Sequence, residues 1–147
     1  FGGAPPPNRG GKPVMQAPGH EEIELALVKL YQATGDTLYL NMAKRFIDIR
    51  GITFKPEGEG VLAPSYAQQH QPVREQRKAV GHAVRAAYLY SGMADVMAQT
   101  GDTSLRPALD SIWGNIVDTR MHITGGLGAI HGIEGFGPEY AYRRYRA

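Results

Sequence analysis

Thr-Gly-Asp-Thr occurs twice in this chain, at Thr34 to Thr37 and again at Thr100 to Thr103, each time between two stretches of helical periodicity. A fixed internal period, here 66 residues, marks repeated supersecondary units. The glycine suits a left-handed helix cap and the aspartate suits the N-cap of the next helix, so the tetrapeptide reads as a hinge between two antiparallel helices. The chain is therefore expected to be a stack of helical hairpins. Each hairpin opens on a Gly-His pair, with His20 fourteen residues before Thr34 and His82 eighteen before Thr100. Those offsets are close to about four and five turns of 3.6 residues, so regular helices would project both imidazoles from equivalent faces. Such a repeat is suited to building a shared pocket.

Four helices follow from the apolar spacing. From Glu21 to about Ala33, Ile23, Leu27, Leu30 and Tyr31 recur at steps of three and four, with Glu21, Glu22 and Glu24 where the helix dipole favours acids. After the first hinge, Leu40, Ala43, Phe46 and Ile47 form a second stripe that ends at Gly51. A third helix somewhere after Pro72 carries Ala83, Ala86, Ala87, Tyr90, Ala94 and Met97, a small-residue face suited to close packing. The fourth carries Leu109, Ile112, Trp113, Ile116 and Val117, with Pro107 tolerable in its first turn. Residues 1–17 form a Pro/Gly-rich loop, residues 52–72 a long loop without period, and residues 124–138 a glycine-rich, strand-poor tail.

Composition excludes several classes. At 147 residues and 42 % hydrophobic, the chain suits one globular domain. Its formal charge of +2 comes largely from Arg143, Arg144 and Arg146, so no basic face for nucleic acid is evident. No apolar run approaches the roughly 18 residues of a membrane span. Cysteine is absent, which removes disulfides, the commonest thiolate ligand and the commonest thiol nucleophile from anything these residues do alone. Phe1 in place of an initiating Met, and an end at Arg144-Tyr145-Arg146-Ala147 without a capping pattern, read as a piece of a longer protein. No compartment follows from the sequence.

The residues that could carry chemistry are few. His20 stands at a helix start behind Pro18-Gly19, and His82 between Gly81 and Ala83, small neighbours that let a ligand or another helix approach. Either imidazole could contact a ligand hydroxyl; His20 could instead simply interact with the first-turn carboxylates, and His82 could equally be a satisfied core histidine. His70 lies in Gln68-Gln69-His70-Gln71, a cluster of hydrogen-bonding groups of the sort that suits sugar hydroxyls. Glu134 sits between Ile133 and Gly135, ahead of Phe136; desolvation there would favour the neutral acid and general acid catalysis, whereas a solvated loop would leave an ordinary carboxylate. Glu21, Glu22, Glu57, Glu59 and Glu75 read as helix-end or surface charges. Thr124-Gly125-Gly126-Leu127-Gly128 lacks the lysine and the βαβ setting of a phosphate loop.

Five segments go beyond pattern: Pro18-Gly19-His20-Glu21-Glu22-Ile23-Glu24-Leu25-Ala26-Leu27, Pro72-Val73-Arg74-Glu75-Gln76, Val80-Gly81-His82-Ala83-Val84-Arg85, Tyr88-Leu89-Tyr90-Ser91-Gly92-Met93-Ala94-Asp95, and Ile123-Thr124-Gly125-Gly126. Together, and in this order, they resemble glycoside hydrolase family 127 over about residues 18–140. The resemblance implies an all-α fold, a partial (α/α)6 toroid whose hairpins surround a sugar pocket, with the catalytic domain running over residues 18–147. It implies a retaining β-L-arabinofuranosidase or close relative acting on an arabinofuranoside-containing oligosaccharide or glycoconjugate. By the same resemblance, Glu134 stands where the family has its general acid/base, although Ile133 and Gly135 depart from the family's commonest Gly-Glu-Ala-Phe-Gly spelling. His20 and His82 match histidines that contact the arabinofuranose ring, and His70 falls in a similar His-x-Pro-Val-Arg-Glu-Gln segment.

The family's nucleophile is a zinc-bound cysteine thiolate, and its cysteines and metal-binding glutamate lie downstream of the acid/base segment. The resemblance thus implies zinc in the full-length protein, with no metal ligands in this chain, and no hydrolysis by these 147 residues alone. Two other readings stand beside it. One is a noncatalytic helical scaffold or carbohydrate-binding module that keeps the histidines without a nucleophile. The other is an (α/α)6 sugar epimerase, which uses histidines as acid and base. Two hairpins of a ring should also leave apolar faces bare, so poor solubility is expected of the isolated chain.

Overall fold

The computed structural model describes residues 16–53, 57–128 and 130–141. The loop expected over 1–17 therefore lies, as far as residue 15, outside the described residues, and so does the arginine-rich end from 142 to 147. Among the described residues the fold is all-α. Four helices, α1 (Glu22–Thr34), α2 (Thr37–Ile49), α3 (Ala83–Thr100) and α4 (Arg106–Thr119), are joined by loops with short 3-10 turns at Gly60–Leu62, Val73–Glu75 and Thr103–Leu105. Extended pairing among these residues is confined to isolated bridges.

Both Thr-Gly-Asp-Thr hinges use the same atoms in the same way. Gly35 and Gly101 each adopt φ 73°, and their N–H groups donate to Tyr31 O and Met97 O, closing α1 and α3. A residue with a Cβ would be strained in that left-handed conformation. Thr34 Oγ1 donates to Leu30 O at 2.7 Å and accepts from Asp36 N, and Thr100 Oγ1 does the same with Val96 O, also at 2.7 Å, and Asp102 N. The aspartates then cap the following turn, Asp36 accepting from Leu38 N at 2.9 Å and Asp102 from Ser104 N at 3.1 Å. The hinges part only afterwards: α2 begins at once at Thr37, whereas a 3-10 turn delays α4 to Arg106, ahead of Pro107.

α1 packs on both α2 and α3, and α3 carries α4 on its other side. The core runs through Leu27, Val28, Phe46, Ile47, Leu89, Met93, Ile112 and Ile116. The face that α1 buries differs from the stripe its apolar residues predict. Ile23 and Leu30 are exposed, while Glu24 is buried beside Leu27 and Val28. In α4, likewise, Ile112 and Ile116 are inside but Trp113 and Val117 face out. In the third helix Ala83, Ala86 and Tyr90 of the expected face are buried but Ala94 is exposed, and the close approach to α1 is made at Gly92, where a Cβ would lie 3.0 Å from Glu24 Cβ.

Glu21, expected as a helix-end or surface charge, and Glu24, expected in the first turn where the helix dipole favours acids, are both completely buried around Arg50, the residue that closes α2. Arg50 Nη1 donates to Glu21 Oε1 and to Ala67 O, both at 3.0 Å, and Nη2 donates to Pro18 O at 2.9 Å and Glu24 Oε1 at 3.3 Å. Burial pushes the Glu21 carboxyl up to about 7, with the adjacent guanidinium pulling the other way, and burial raises Glu24 as well. Two carboxyls against one guanidinium form a low-dielectric cluster that a single proton would neutralise.

Candidate active site

Three stretches of backbone meet at the N-terminus of α3. Gly81 is held at φ 74°, and a Cβ there would fall 1.9 Å from Ser65 O and 2.6 Å from Tyr66 O. Gly135 approaches from the other side, where a Cβ would lie 2.9 Å from Gly81 O. Phe136 N donates to Gly81 O at 2.8 Å, Ala83 N to Glu134 O at 2.9 Å and His82 N to Tyr66 O at 3.0 Å. The glycine-rich tail is thus strapped across the start of α3 by main-chain bonds. Glu134 sits in the strap at φ 50°, a left-handed conformation that costs a non-glycine residue roughly 1–2 kcal/mol.

That geometry joins two of the residues the sequence singles out. His82 is the N-cap of α3, and its Nδ1 accepts from Arg85 N at 3.3 Å. An accepting Nδ1 carries no proton, so in the neutral ring the proton is on Nε2, and Nε2 donates to Glu134 Oε2 at 3.1 Å. The pair spans an exposure gradient: the His82 side chain is 12 % exposed and that of Glu134 76 %. The apolar surroundings that residues 133–136 suggest are thus not found around this carboxylate, which faces solvent. With both ring nitrogens of His82 engaged, a sugar hydroxyl reaching it has to share or displace the bond to Glu134.

His20 arrives by a different route. It lies two residues ahead of α1, as His82 lies one ahead of α3, so neither ring projects from a helix and the equal-face argument does not apply. Its imidazole, half exposed, is 3.9 Å from Glu22 Oε2, and the ring centroid lies 6.2 Å from that of Tyr88 on α3. The Arg85 guanidinium ties this segment to the rest: it donates to Gly19 O and sits 5.1 Å above the Tyr66 ring. Tyr66 in turn meets His82 edge-on at 5.5 Å. His70 is half-buried on the same loop as Tyr66, and the His82–Glu134 pair is made without it. The neighbouring Gln68 serves the scaffold: it is fully buried and donates to Val80 O at 2.9 Å and Tyr66 O at 3.2 Å.

Tyr66, Arg85 and Arg50 escape a reading for chemistry in the sequence, because their roles depend on contacts between distant segments. The one available signal is that Arg85 follows His82 by one helical turn in Val80-Gly81-His82-Ala83-Val84-Arg85. A groove of about 650 Å³ between α3 and α4 is lined mainly by apolar residues such as Tyr90, Met97, Leu109 and Trp113, with Arg106 and Asp110 among them, and contains none of the candidate residues. A smaller depression of about 320 Å³ lies against Ala83 and Tyr88.

The family model described as "Beta-L-arabinofuranosidase, GH127 catalytic domain" matches residues 7–146. The chain belongs to this family. The GH127 domain is 41 % identical over 138 residues to a protein of Bifidobacterium longum subsp. longum named non-reducing end beta-L-arabinofuranosidase, a match covering 84 % of this chain and 21 % of that protein. Among solved structures it resembles a GH127 beta-arabinofuranosidase with a TM-score of 0.78 and 53 % identity, over 90 % of this chain and 20 % of that one. It also resembles a GH127 beta-L-arabinofuranosidase from Geobacillus stearothermophilus T6, with a TM-score of 0.75 and 42 % identity, over 88 % of this chain and 23 % of that one. The domain therefore spans about a fifth of the length of these relatives, and its all-α hairpins are part of a helical toroid.

Proposed function

We propose that this chain is the part of a retaining β-L-arabinofuranosidase-like glycoside hydrolase that supplies the general acid/base, Glu134, and a share of the sugar-binding groups. The substrate would be an arabinofuranoside-containing oligosaccharide or glycoconjugate, with His20, His82 and His70 reaching sugar hydroxyls. The observation that carries the reading is the His82–Glu134 pair at 3.1 Å, in which a glutamate is aimed outward and held by a donor at one oxygen. With Oε2 fixed by His82, Oε1 is the oxygen placed to carry a proton toward a glycosidic oxygen. After departure of the leaving group the same carboxylate can take a proton from the attacking water, as microscopic reversibility requires of a retaining enzyme.

Zinc and a cysteine nucleophile, which the family resemblance implies, do not fit the residues present. The chain has no cysteine, and among the described residues no three histidine, aspartate or glutamate side chains are grouped to hold a metal ion. We therefore place both outside this chain, in the rest of the protein. Among the described residues, moreover, no helix is long and apolar enough to cross a membrane.

The test is hydrolysis of 4-nitrophenyl β-L-arabinofuranoside by the full-length protein that carries this domain. Glu134→Gln is expected to lower kcat by about 10²–10⁴-fold with little change in KM, and the first sugar released should keep the β configuration. A wild-type protein that releases no arabinose, or a Glu134→Gln variant at wild-type rate, would overturn the reading; an epimerised free sugar would put the epimerase in its place. The isolated 147-residue chain is expected to hydrolyse nothing.

A further inference from the structure

We propose that Arg50 is a positioning residue for His20, setting where that imidazole stands relative to Tyr66 and His82; the catalytic part of the test rests on the function proposed above. Arg50 lies at the end of α2, away from the sugar-facing candidates, yet its guanidinium grips the chain on both sides of His20. It holds Pro18 O two residues before and Glu21 Oε1 one residue after, at 2.9 and 3.0 Å. A third bond, to Ala67 O at 3.0 Å, fixes the residue that follows Tyr66. One rigid, fully buried fork thereby sets the spacing between the His20 segment and the loop whose tyrosine meets His82. Glu24 Oε1, at 3.3 Å, keeps the same guanidinium registered on α1.

The geometry is suited to positioning because each bond is directional and buried. Arginine offers donors in a planar fork, so moving the His20 segment away from the Tyr66 loop means breaking charge-assisted bonds made by a fully buried guanidinium. A lysine would supply the charge but not the fork. Arg85 adds a second, partly exposed tie from Gly19 O to the Tyr66 ring on the outer side. Among the described residues His20 itself meets Tyr88 and, at longer reach, Glu22, and the backbone on either side of it is what Arg50 holds.

In the full-length protein with 4-nitrophenyl β-L-arabinofuranoside, Arg50→Lys and His20→Ala should each raise KM about tenfold, the loss expected for one hydrogen bond to substrate, with kcat within about twofold. The double variant should be no worse than His20→Ala alone, because both changes remove one function. An unchanged KM in folded Arg50→Lys, or defects that multiply in the double variant, would overturn the proposal. If Arg50→Lys does not fold, Glu21→Ala carries the test, since Arg50 remains balanced by Glu24. It should reproduce the KM defect, and Glu21→Gln, which keeps an oxygen acceptor, should restore it; a wild-type KM in Glu21→Ala would overturn the proposal. A wild-type protein inactive on the arabinoside sinks the functional reading instead. Positioning is then read from the proton NMR signals of His20: the ring-current shift from Tyr88 should be lost in Glu21→Ala and kept in Glu21→Gln, and its survival in Glu21→Ala would overturn the proposal.

Discussion

The two hairpins share a hinge down to its individual hydrogen bonds, yet they solve burial in opposite ways. The first takes charge inside: Glu21, Glu24 and Arg50 are completely buried where α1, the end of α2 and the loop at Ala67 converge. The second leaves apolar surface outside: Trp113 is 63 % exposed beside a groove of about 650 Å³ between α3 and α4. The shared hinge sets where α1 and α3 stop, but it does not set which face of a helix goes in. That is decided by neighbours: α1 has the long helices α2 and α3 to pack on, whereas α4 packs on α3 and on short 3-10 turns.

The comparison breaks most sharply at Arg50. Arg50→Leu leaves two fully buried carboxyls without the guanidinium they share, and removal of one partner of a buried ionic cluster costs about 3–5 kcal/mol. The chain is expected to lose its cooperative urea transition, followed by circular dichroism. In the second hairpin the pair of Arg106 and Asp110 lies in the open, both side chains well over half exposed, and Arg106→Leu should move the midpoint by less than about 1 kcal/mol. Equal losses at the two arginines would show that burial of charge does not distinguish the hairpins.

A pH titration comes next in size. Glu21 binds its proton more tightly in the folded chain, with a pKa near 7 against an ordinary 4.5, because burial outweighs the attraction of Arg50 and Arg85. Below about pH 4.5 both folded and unfolded chains hold the proton and this site contributes its full stability. Between about 4.5 and 7 the unfolded chain has released it and the folded chain has not, so stability falls as pH rises, by on the order of 3 kcal/mol in total. Above that window both are ionised and the loss is complete. Glu24 shifts in the same direction and adds to the slope. Urea midpoints at pH 5 and pH 7.5 measure it, and Glu21→Gln should flatten the dependence; a slope unchanged by that substitution would remove Glu21 as its source.

A smaller contrast lies between two helical glycines. At Gly92 a Cβ would press to 3.0 Å on Glu24 Cβ, so Gly92→Ala must push α3 off α1, and overpacking should outweigh the gain in helix propensity for a net loss of about 1 kcal/mol. At Gly114 in α4 a Cβ would meet nothing within 4 Å, and Gly114→Ala should stabilise by about 0.5–1 kcal/mol. Thermal melts of the two variants should move in opposite directions.

How much of this was legible follows the range of the interactions. The hinges were readable because Thr-Gly-Asp-Thr carries its whole structure within a few residues. The register of α1 was not, because a count of apolar spacing selects Ile23 and Leu30 and cannot see that Glu24 finds its partner 26 residues away. At the candidate site, His82 and Glu134 were nominated separately by motif. Their contact depends on three backbones meeting at Gly81 and Gly135, which no local pattern encodes, and the same is true of Tyr66 under Arg85.

The least effect on stability, and a clear one on association, is expected at Trp113. Its ring lies on the open side of the groove, so replacing it removes little packing, and Trp113→Gln should leave the urea midpoint within about 0.5 kcal/mol. Exposed apolar area of this kind promotes contact between molecules. The isolated wild-type chain should therefore elute from size exclusion as a concentration-dependent mixture, and Trp113→Gln should shift it toward monomer. A wild-type chain that stays monomeric at every concentration would show that the second hairpin tolerates its bare face as well as the first tolerates its buried charge. The asymmetry between them would then be one of composition only, without a consequence for how the chain behaves alone.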